Sequence, residues 1–277
     1  MSTIAQQEIS TPTPAAPSTP RSIGNFVWYE LRTPDAKGAE DFYTHVVGWK
    51  TKSFGDPNAP YTLLSAGGPD MAGMMQMTPE MAAGGATPAW VGFIGVDDVD
   101  AYARRVEEAG GKLHIPPQDI PTVGRFASAE DPQGAEFLLF KGNLSAPPPR
   151  DPAGTPGTVG WHELSANEEQ SAWNFYSNLF GWTEDSTMDM GPAGTYRMFN
   201  NGGGVIGGMM TRDQSTSPGP FWNYYFNVED IDAAGNRIKE KGGKLMMGPH
   251  EVPGGLWIIL GFDPQGVFFS VVGPRKQ

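Results

Sequence analysis

The pattern of apolar and polar positions restarts along the chain. Asn25–Arg32 reads as a strand, and Thr33-Pro34-Asp35 leads from it into a helix. Thr33 or Asp35 can cap that helix, and its apolar residues Ala39, Phe42, Tyr43 and Val46 fall on one face. Gly48 ends it, and short apolar runs follow at Tyr61–Ser65 and Met71–Met77. Then the pattern begins again. Ala89–Val96 is strand-like, and Asp97 or Asp98 opens a helix with Val99, Tyr102, Ala103 and Val106 on its buried stripe. Gly110-Gly111 stops this helix, and strands are expected at Lys112–Ile115, Arg125–Ser128 and Glu136–Phe140. The first half thus predicts β-α-β-β-β twice. Helices separated by several strands indicate an α+β class with mainly antiparallel sheets.

The second half repeats the first. Trp28-Tyr29-Glu30-Leu31 matches Trp161-His162-Glu163-Leu164, Phe42-Tyr43 matches Phe175-Tyr176, and Gly48-Trp49 matches Gly181-Trp182, all at an offset of 133. Later landmarks match at 132: Val96–Asp100 with Val228–Asp232, Gly110–Leu113 with Gly242–Leu245, and Asp131–Gly134 with Asp263–Gly266. Such a period is too long for a solenoid and marks two copies of a whole domain. We divide the chain into a disordered tail (1–22), a first domain (23–142), a Pro-rich linker (143–158), a second domain (159–273) and a short tail (274–277).

Charge and composition narrow the partners. The chain has 277 residues and a net charge of −12, which disfavours phosphate backbones and anionic lipid. Nucleic acid and membranes are therefore not expected partners. Cysteine is absent, which excludes disulfides, a thiolate nucleophile and Cys-ligated metal. Met1–Pro20 has no apolar or basic stretch of the secretory kind, and no run of 18 apolar residues occurs, so the expected location is the cytoplasm.

The runs TPDAKGAEDFYTHVVGW, VGFIGVDDVDAYARRVEEAGGK and DPQGAEFLLF are similar to the vicinal oxygen chelate superfamily, and so are NEEQSAWNFYSNLFGW, VEDIDAAGNRIKEKGGK and DPQGVFFSVV. That superfamily includes glyoxalase I, bleomycin- and fosfomycin-resistance proteins and extradiol dioxygenases. The likeness covers residues 23–142 and 159–273 and is strongest to bacterial two-domain, glyoxalase-like proteins. It implies paired βαβββ units that form a curled eight-stranded sheet, with helices outside and a cavity inside. In enzymes of the group that cavity holds a divalent metal.

Carrying the ligand positions over places Trp28 and Trp161 at the first, Val91 and Asn223 at the second, and Leu138 and Ser270 at the last. The fourth strand, Met71–Met75 or Val205–Met209, supplies no carboxylate. Trp, Val and Leu cannot bind such a cation, and Asn and Ser bind it poorly. We therefore expect no metal and no other cofactor. Strand alternation puts Glu30 on the face of Trp28, Glu163 on that of Trp161, and Glu136 on that of Leu138. Glu30 with Glu136 could form a bare two-carboxylate metal set, and a one-residue slip would instead turn His162 inward.

The first cavity is then expected to be lined by Trp28, Glu30, Arg32, Val91, Phe93, Glu136, Leu138 and Phe140. The second is expected to show Trp161, Glu163, Ser165, Asn223, Tyr225, Asn227, Ser270 and Val272. Apolar walls with a few polar groups suit a small-molecule ligand. The candidate binding residues are Trp28, Trp161, Asn223, Tyr225, Ser270, Phe93 and Glu136, with Glu163 and Glu30 as candidate acid–base groups. The plainer readings are core packing for the two Trp residues and an ion pair inside the sheet for the Glu residues, with Arg32 within reach of Glu30. The main expectation is a metal-free small-molecule binding protein. The alternatives are a lyase, dioxygenase or hydroxylase of the superfamily, with a metal or on Glu163 or Glu30, and a structural protein with vestigial cavities.

Other groups read as ordinary. Met71, Met74, Met75, Met77, Met209, Met210, Met246 and Met247 suit core filling. His45 is placed on a helix surface, His114 in a strand and His250 in a Pro-Gly loop. Arg125 sits at the cavity mouth or on the plain surface. The Gly202–Gly204 and Gly207-Gly208 runs read as a hairpin turn and close backbone approach. Two copies in one chain supply the pairing that single domains gain by association, so a monomer or a homodimer is expected.

Overall fold

A computed structural model describes residues 23–55, 60–143, 151–215 and 219–276. The expected tail over 1–22 and residues 144–150 in the first half of the linker lie outside the described residues. The first repeat runs β1 (Phe26–Thr33), α1 (Ala36–Val46), β2 (Lys50–Phe54), β3 (Tyr61–Ser65), β4 (Asp70–Gln76), α2 (Pro79–Ala83), β5 (Ala89–Gly95), α3 (Val99–Glu108), β6 (Lys112–Ile120), β7 (Gly124–Glu130) and β8 (Glu136–Gly142). The second runs β9 (Val159–Ala166), α4 (Glu169–Phe180), β10 (Thr183–Asp189), β11 (Thr195–Asn200), β12 (Val205–Thr211), β13 (Phe221–Asn227), α5 (Ile231–Glu240), β14 (Lys244–Val252), β15 (Leu256–Phe262) and β16 (Phe268–Gly273). The short helix α2 breaks the predicted rhythm. Thr78 caps it and Pro79 occupies its first turn.

Asp35 and Asp98 are the caps, accepting from the backbone N–H groups of Gly38 and Ala101. Each repeat forms one eight-stranded sheet, in the orders β2-β3-β4-β1-β5-β8-β7-β6 and β10-β11-β12-β9-β13-β16-β15-β14. The two βαβββ units of a repeat meet where β1 pairs antiparallel with β5, and β9 with β13. Among the described residues only the closures β1–β4, β5–β8, β12–β9 and β13–β16 are parallel. The α+β reading with mainly antiparallel sheets holds.

Much of the duplicated sequence explains how the repeats join. Tyr43 accepts a hydrogen bond from Trp90 Nε1 at 2.9 Å and donates to Asp263 Oδ2 of the other repeat at 3.1 Å. Tyr176 accepts from Trp222 Nε1 at 3.0 Å and lies against Asp131 in the mirrored place. Trp49 donates to the Gly157 carbonyl at 2.6 Å, and Trp182 to that of Gly24 at 2.8 Å. Arg237 caps the end of α1 through the Val46 carbonyl, and Arg105 caps α4 through Asn178 and Leu179. The Asp-Pro-Gln-Gly turns are held by Asp131 Oδ1, which accepts from Gln133 and Ala135, and by Asp263 Oδ1, which accepts from Gln265 and Val267. One continuous apolar core runs through both repeats. The concave faces of the sheets lie on the side away from it.

Several side expectations change. His250 lies in the strand β14 rather than in a loop. Met74 and Met209 fill the core, but Met246 and Met247 are 46% and 41% exposed because β14 is an edge strand. Arg125 is held by Asp100 and Asp119. His45 and His114 each face a single carboxylate, Glu240 and Glu130.

Candidate functional site

Alternation along β1 separates two faces. Tyr29 and Leu31 are buried in the shared core and Thr33 is buried on the same face, while Trp28, Glu30 and Arg32 are half-buried on the concave side. Val91, Phe93 and Leu138 form a separate small cluster there, with Trp28, Phe126 and Phe140 packed against it. These residues, expected around the first cavity, thus share one face of the sheet. In β9 the same alternation puts Trp161, Glu163 and Ser165 on the concave side. His162 points the other way. Its Nε2 lies 2.6 Å from the Tyr29 hydroxyl, its Nδ1 lies 2.6 Å from the Ile206 carbonyl, and its ring stacks on Phe26. The slipped register is therefore not the one adopted.

Both sheets carry the same relay on this face. In the first repeat Trp28 Nε1 donates to the Tyr61 hydroxyl at 3.0 Å, and Tyr61 donates to Glu30 Oε2 at 2.9 Å. In the second, Trp161 Nε1 donates to the Tyr196 hydroxyl at 2.7 Å, and Tyr196 donates to Glu163 Oε2 at 3.0 Å. Tyr225 adds a second hydroxyl on Glu163 Oε1 at 3.0 Å. Asn223 pairs in register with Glu163 and donates its Nδ2 to Ser270 Oγ at 2.9 Å. Asn227 faces the start of the strand instead, where its Nδ2 donates to Thr158.

The tyrosines fit because glycine lies beneath them. A Cβ on Gly73 would stand 2.0 Å from the Tyr61 oxygen, and one on Gly208 would stand 2.3 Å from the Tyr196 ring. Sequence reasoning missed Tyr61 and Tyr196. A signal existed, because 196 − 61 and 208 − 73 both give 135, an offset shared by the two Tyr and the two Gly.

The ion pair proposed between Arg32 and Glu30 does not form. Arg32 grips Glu136 with both Nη atoms, at 2.8 and 2.5 Å, and Ser128 also donates to that carboxylate at 3.2 Å. Glu136 is consequently not the free partner of a bare two-carboxylate set. A divalent ion needs about four ligands, yet among the described residues no group of three or more His, Cys, Asp or Glu is placed to hold one. The positions that would ligate carry Trp, Val, Leu, Asn and Ser, and the nearby carboxylates Glu30 and Glu163 are already bound by phenols. The residues present do not fit the metal.

Burial raises the pKa of both carboxyls above the ordinary value. At Glu30 the phenol of Tyr61 and the charge of Arg32 offset it in part. At Glu163 the offset comes from Tyr196, Tyr225 and Asn223. Ionising such a group costs the folded protein more than the unfolded chain. Its contribution is therefore fully present below the unfolded value of 4.5 and falls as pH climbs through the folded one. Glu163→Gln cannot ionise. It is expected to melt above the native protein at pH 8, with the gap closing towards pH 4, as read by calorimetry across that range. A gap that widened in acid would show that the fold prefers the anion.

The sequence profile of the Glyoxalase/Bleomycin resistance protein/Dioxygenase superfamily matches residues 25–139 and 158–271. The chain belongs to this superfamily. It is 32% identical over 256 residues to the protein named "Putative glyoxylase CFP32" of Mycobacterium tuberculosis, covering 90% of this chain and 95% of that protein. It is also 32% identical over 261 residues to "Anthracycline biosynthesis protein DnrV" of Streptomyces peucetius, covering 90% and 93%. Among solved structures, the Mn(II)-bound glyoxalase of Novosphingobium aromaticivorans superposes with a TM-score of 0.65 at 16% identity, over 92% of this chain and 83% of that one. A trihydroxybiphenyl dioxygenase of Sphingomonas wittichii gives 0.61 at 14%, over 91% and 89%. At these identities the likeness concerns the fold. Among the described residues of this superfamily member, no helix is long and apolar enough to cross a membrane.

Proposed function

We propose that the concave face of the second repeat binds a small organic molecule without a metal ion. The observation that carries this reading is the Trp161–Tyr196–Glu163 relay, which begins at the residue that the family resemblance aligns with a metal ligand and spends the protein's own donors on the carboxylate. Apolar rings beside a few fixed polar atoms suit an aromatic ligand. Trp161 and Glu163 keep part of their surface exposed on this face, which leaves them within reach of a guest. The relative named for anthracycline biosynthesis supports a planar aromatic skeleton.

Thermal shift with 2-(1-naphthyl)ethanol in the presence of EDTA tests this. At 100 times Kd a ligand stabilises by about 2.7 kcal/mol, which is a rise of roughly 5–10 °C for a chain of this size. Trp161→Ala is expected to abolish the rise. A shift that appears only with added Mn(II), or stoichiometric metal in the purified protein, would overturn the metal-free reading.

A second reading is an enzyme that uses Glu163 as an acid–base group. The burial that raises the pKa of Glu163 favours it, since a carboxyl titrating nearer neutrality is a better proton acceptor. Turnover lost in Glu163→Gln while ligand binding persists would select this reading.

A further inference from the structure

We propose that the ligand of the second repeat carries an ammonium group, seated on the Glu163 carboxylate among Trp161, Tyr196 and Tyr225. This rests on the reading that the second cavity holds a small organic molecule, and it names the chemistry of that guest.

The comparison between repeats carries it. Both sheets hold a carboxylate at the end of a Trp–Tyr relay on this face. In the first repeat a guanidinium lies on the same face, two residues along the strand, and acts on Glu30. That guanidinium is itself tied to Glu136. In the second repeat the matching positions are Ser165 and Phe268 (32 + 133 and 136 + 132), so both members of the ion pair are replaced by uncharged residues. Among the described residues no Lys, Arg or His pairs with Glu163, whose polar neighbours are Tyr196, Tyr225 and Asn223. A desolvated carboxylate with no cation is costly unless a partner arrives.

The hydrogen-bond inventory points the same way. The indole N–H of Trp161 is used on Tyr196, and the Tyr196 and Tyr225 hydroxyls are used on Glu163. What is left over is acceptor capacity. Glu163 retains free lone pairs, since a carboxylate offers about four acceptor positions. Asn223 is 3% exposed, and its Oδ1 has no hydrogen-bond partner. A protonated amine brings donors and no acceptor, and aromatic rings beside it add cation–π attraction. The net charge of −12 also draws cations towards the molecule.

The test compares three probes on one skeleton by following tryptophan fluorescence of the full chain at pH 7.5: 2-(1-naphthyl)ethylamine, the matching alcohol and 1-naphthylacetate. The amine is expected to bind at least tenfold more tightly than the alcohol, and the carboxylate at least tenfold more weakly than the alcohol. Glu163→Gln should bring amine and alcohol within about twofold of each other. Ser165→Arg, which places a cation beside an intact Glu163, should do the same. Glu229→Gln, an exposed carboxylate elsewhere on the repeat, should leave the preference unchanged. If the alcohol binds as tightly as the amine in the native protein, and Trp161→Ala removes both, the ammonium inference fails while the cavity reading stands. If none of the three binds up to millimolar concentration, both fail.

Discussion

Phe226→Ala is expected to lower the stability of the whole chain by about 3–5 kcal/mol, the usual cost of emptying a phenylalanine site in a packed core, and to leave one earlier melting transition. Phe226 belongs to β13 of the second repeat, yet its ring lies 4.8 Å from that of Trp49 and 5.0 Å from that of Trp90, both in the first. It is fully buried in a core that both repeats share. Tyr43 and Asp263 bind across the same seam, so a cavity there weakens the two halves together. Denaturant unfolding followed by tryptophan fluorescence and by circular dichroism checks this. Two separated transitions, with only the second shifted, would show that the repeats unfold independently.

The next largest effect is expected at Gly208. Alanine there would place a Cβ 2.3 Å from Cε1 and Cζ of Tyr196 and 2.4 Å from its hydroxyl, closer than any real contact. The ring must swing away from the sheet. Glu163 then loses one of its two phenols, and Trp161 loses its acceptor. We expect a stability loss of about 1–3 kcal/mol from overpacking and at least a tenfold loss of ligand affinity. A double-mutant cycle isolates the cause. In a Tyr196→Ala background the clash partner is gone, so Gly208→Ala should become nearly neutral for stability. An undiminished cost in that background would place the clash elsewhere. Gly73→Ala should reproduce the pattern in the first repeat, where Tyr61 lies in the same position.

These experiments separate two kinds of duplicated residue. The Phe-Tyr, Gly-Trp and Asp-Pro-Gln-Gly pairs stood out in the sequence because they recur at nearly fixed offsets, but in space they serve the seam between repeats and its turns. The site residues are legible only in part. Trp28, Glu30, Trp161 and Glu163 follow from period-two alternation on a strand whose register is set by a buried opposite face. Tyr61 and Tyr196 do not, because they come from strands separated from the Glu strand by β4 or β12 and reach it over a glycine. The partner of Arg32 is not legible in the sequence either. Nearness in sequence suggested Glu30, while β8 brings Glu136 within bidentate reach from more than a hundred residues away.

What the chain determines by itself is local or periodic: helix caps, strand alternation, the duplication, and the Trp, Val, Leu, Asn and Ser that stand at the positions aligned with the superfamily's metal ligands. What only the folded molecule decided is which carboxylate meets which donor. Hydrogen bonds and ion pairs form between side chains that sheet order makes neighbours, and sheet order places β4 beside β1 and β8 beside β5, whatever their separation along the chain.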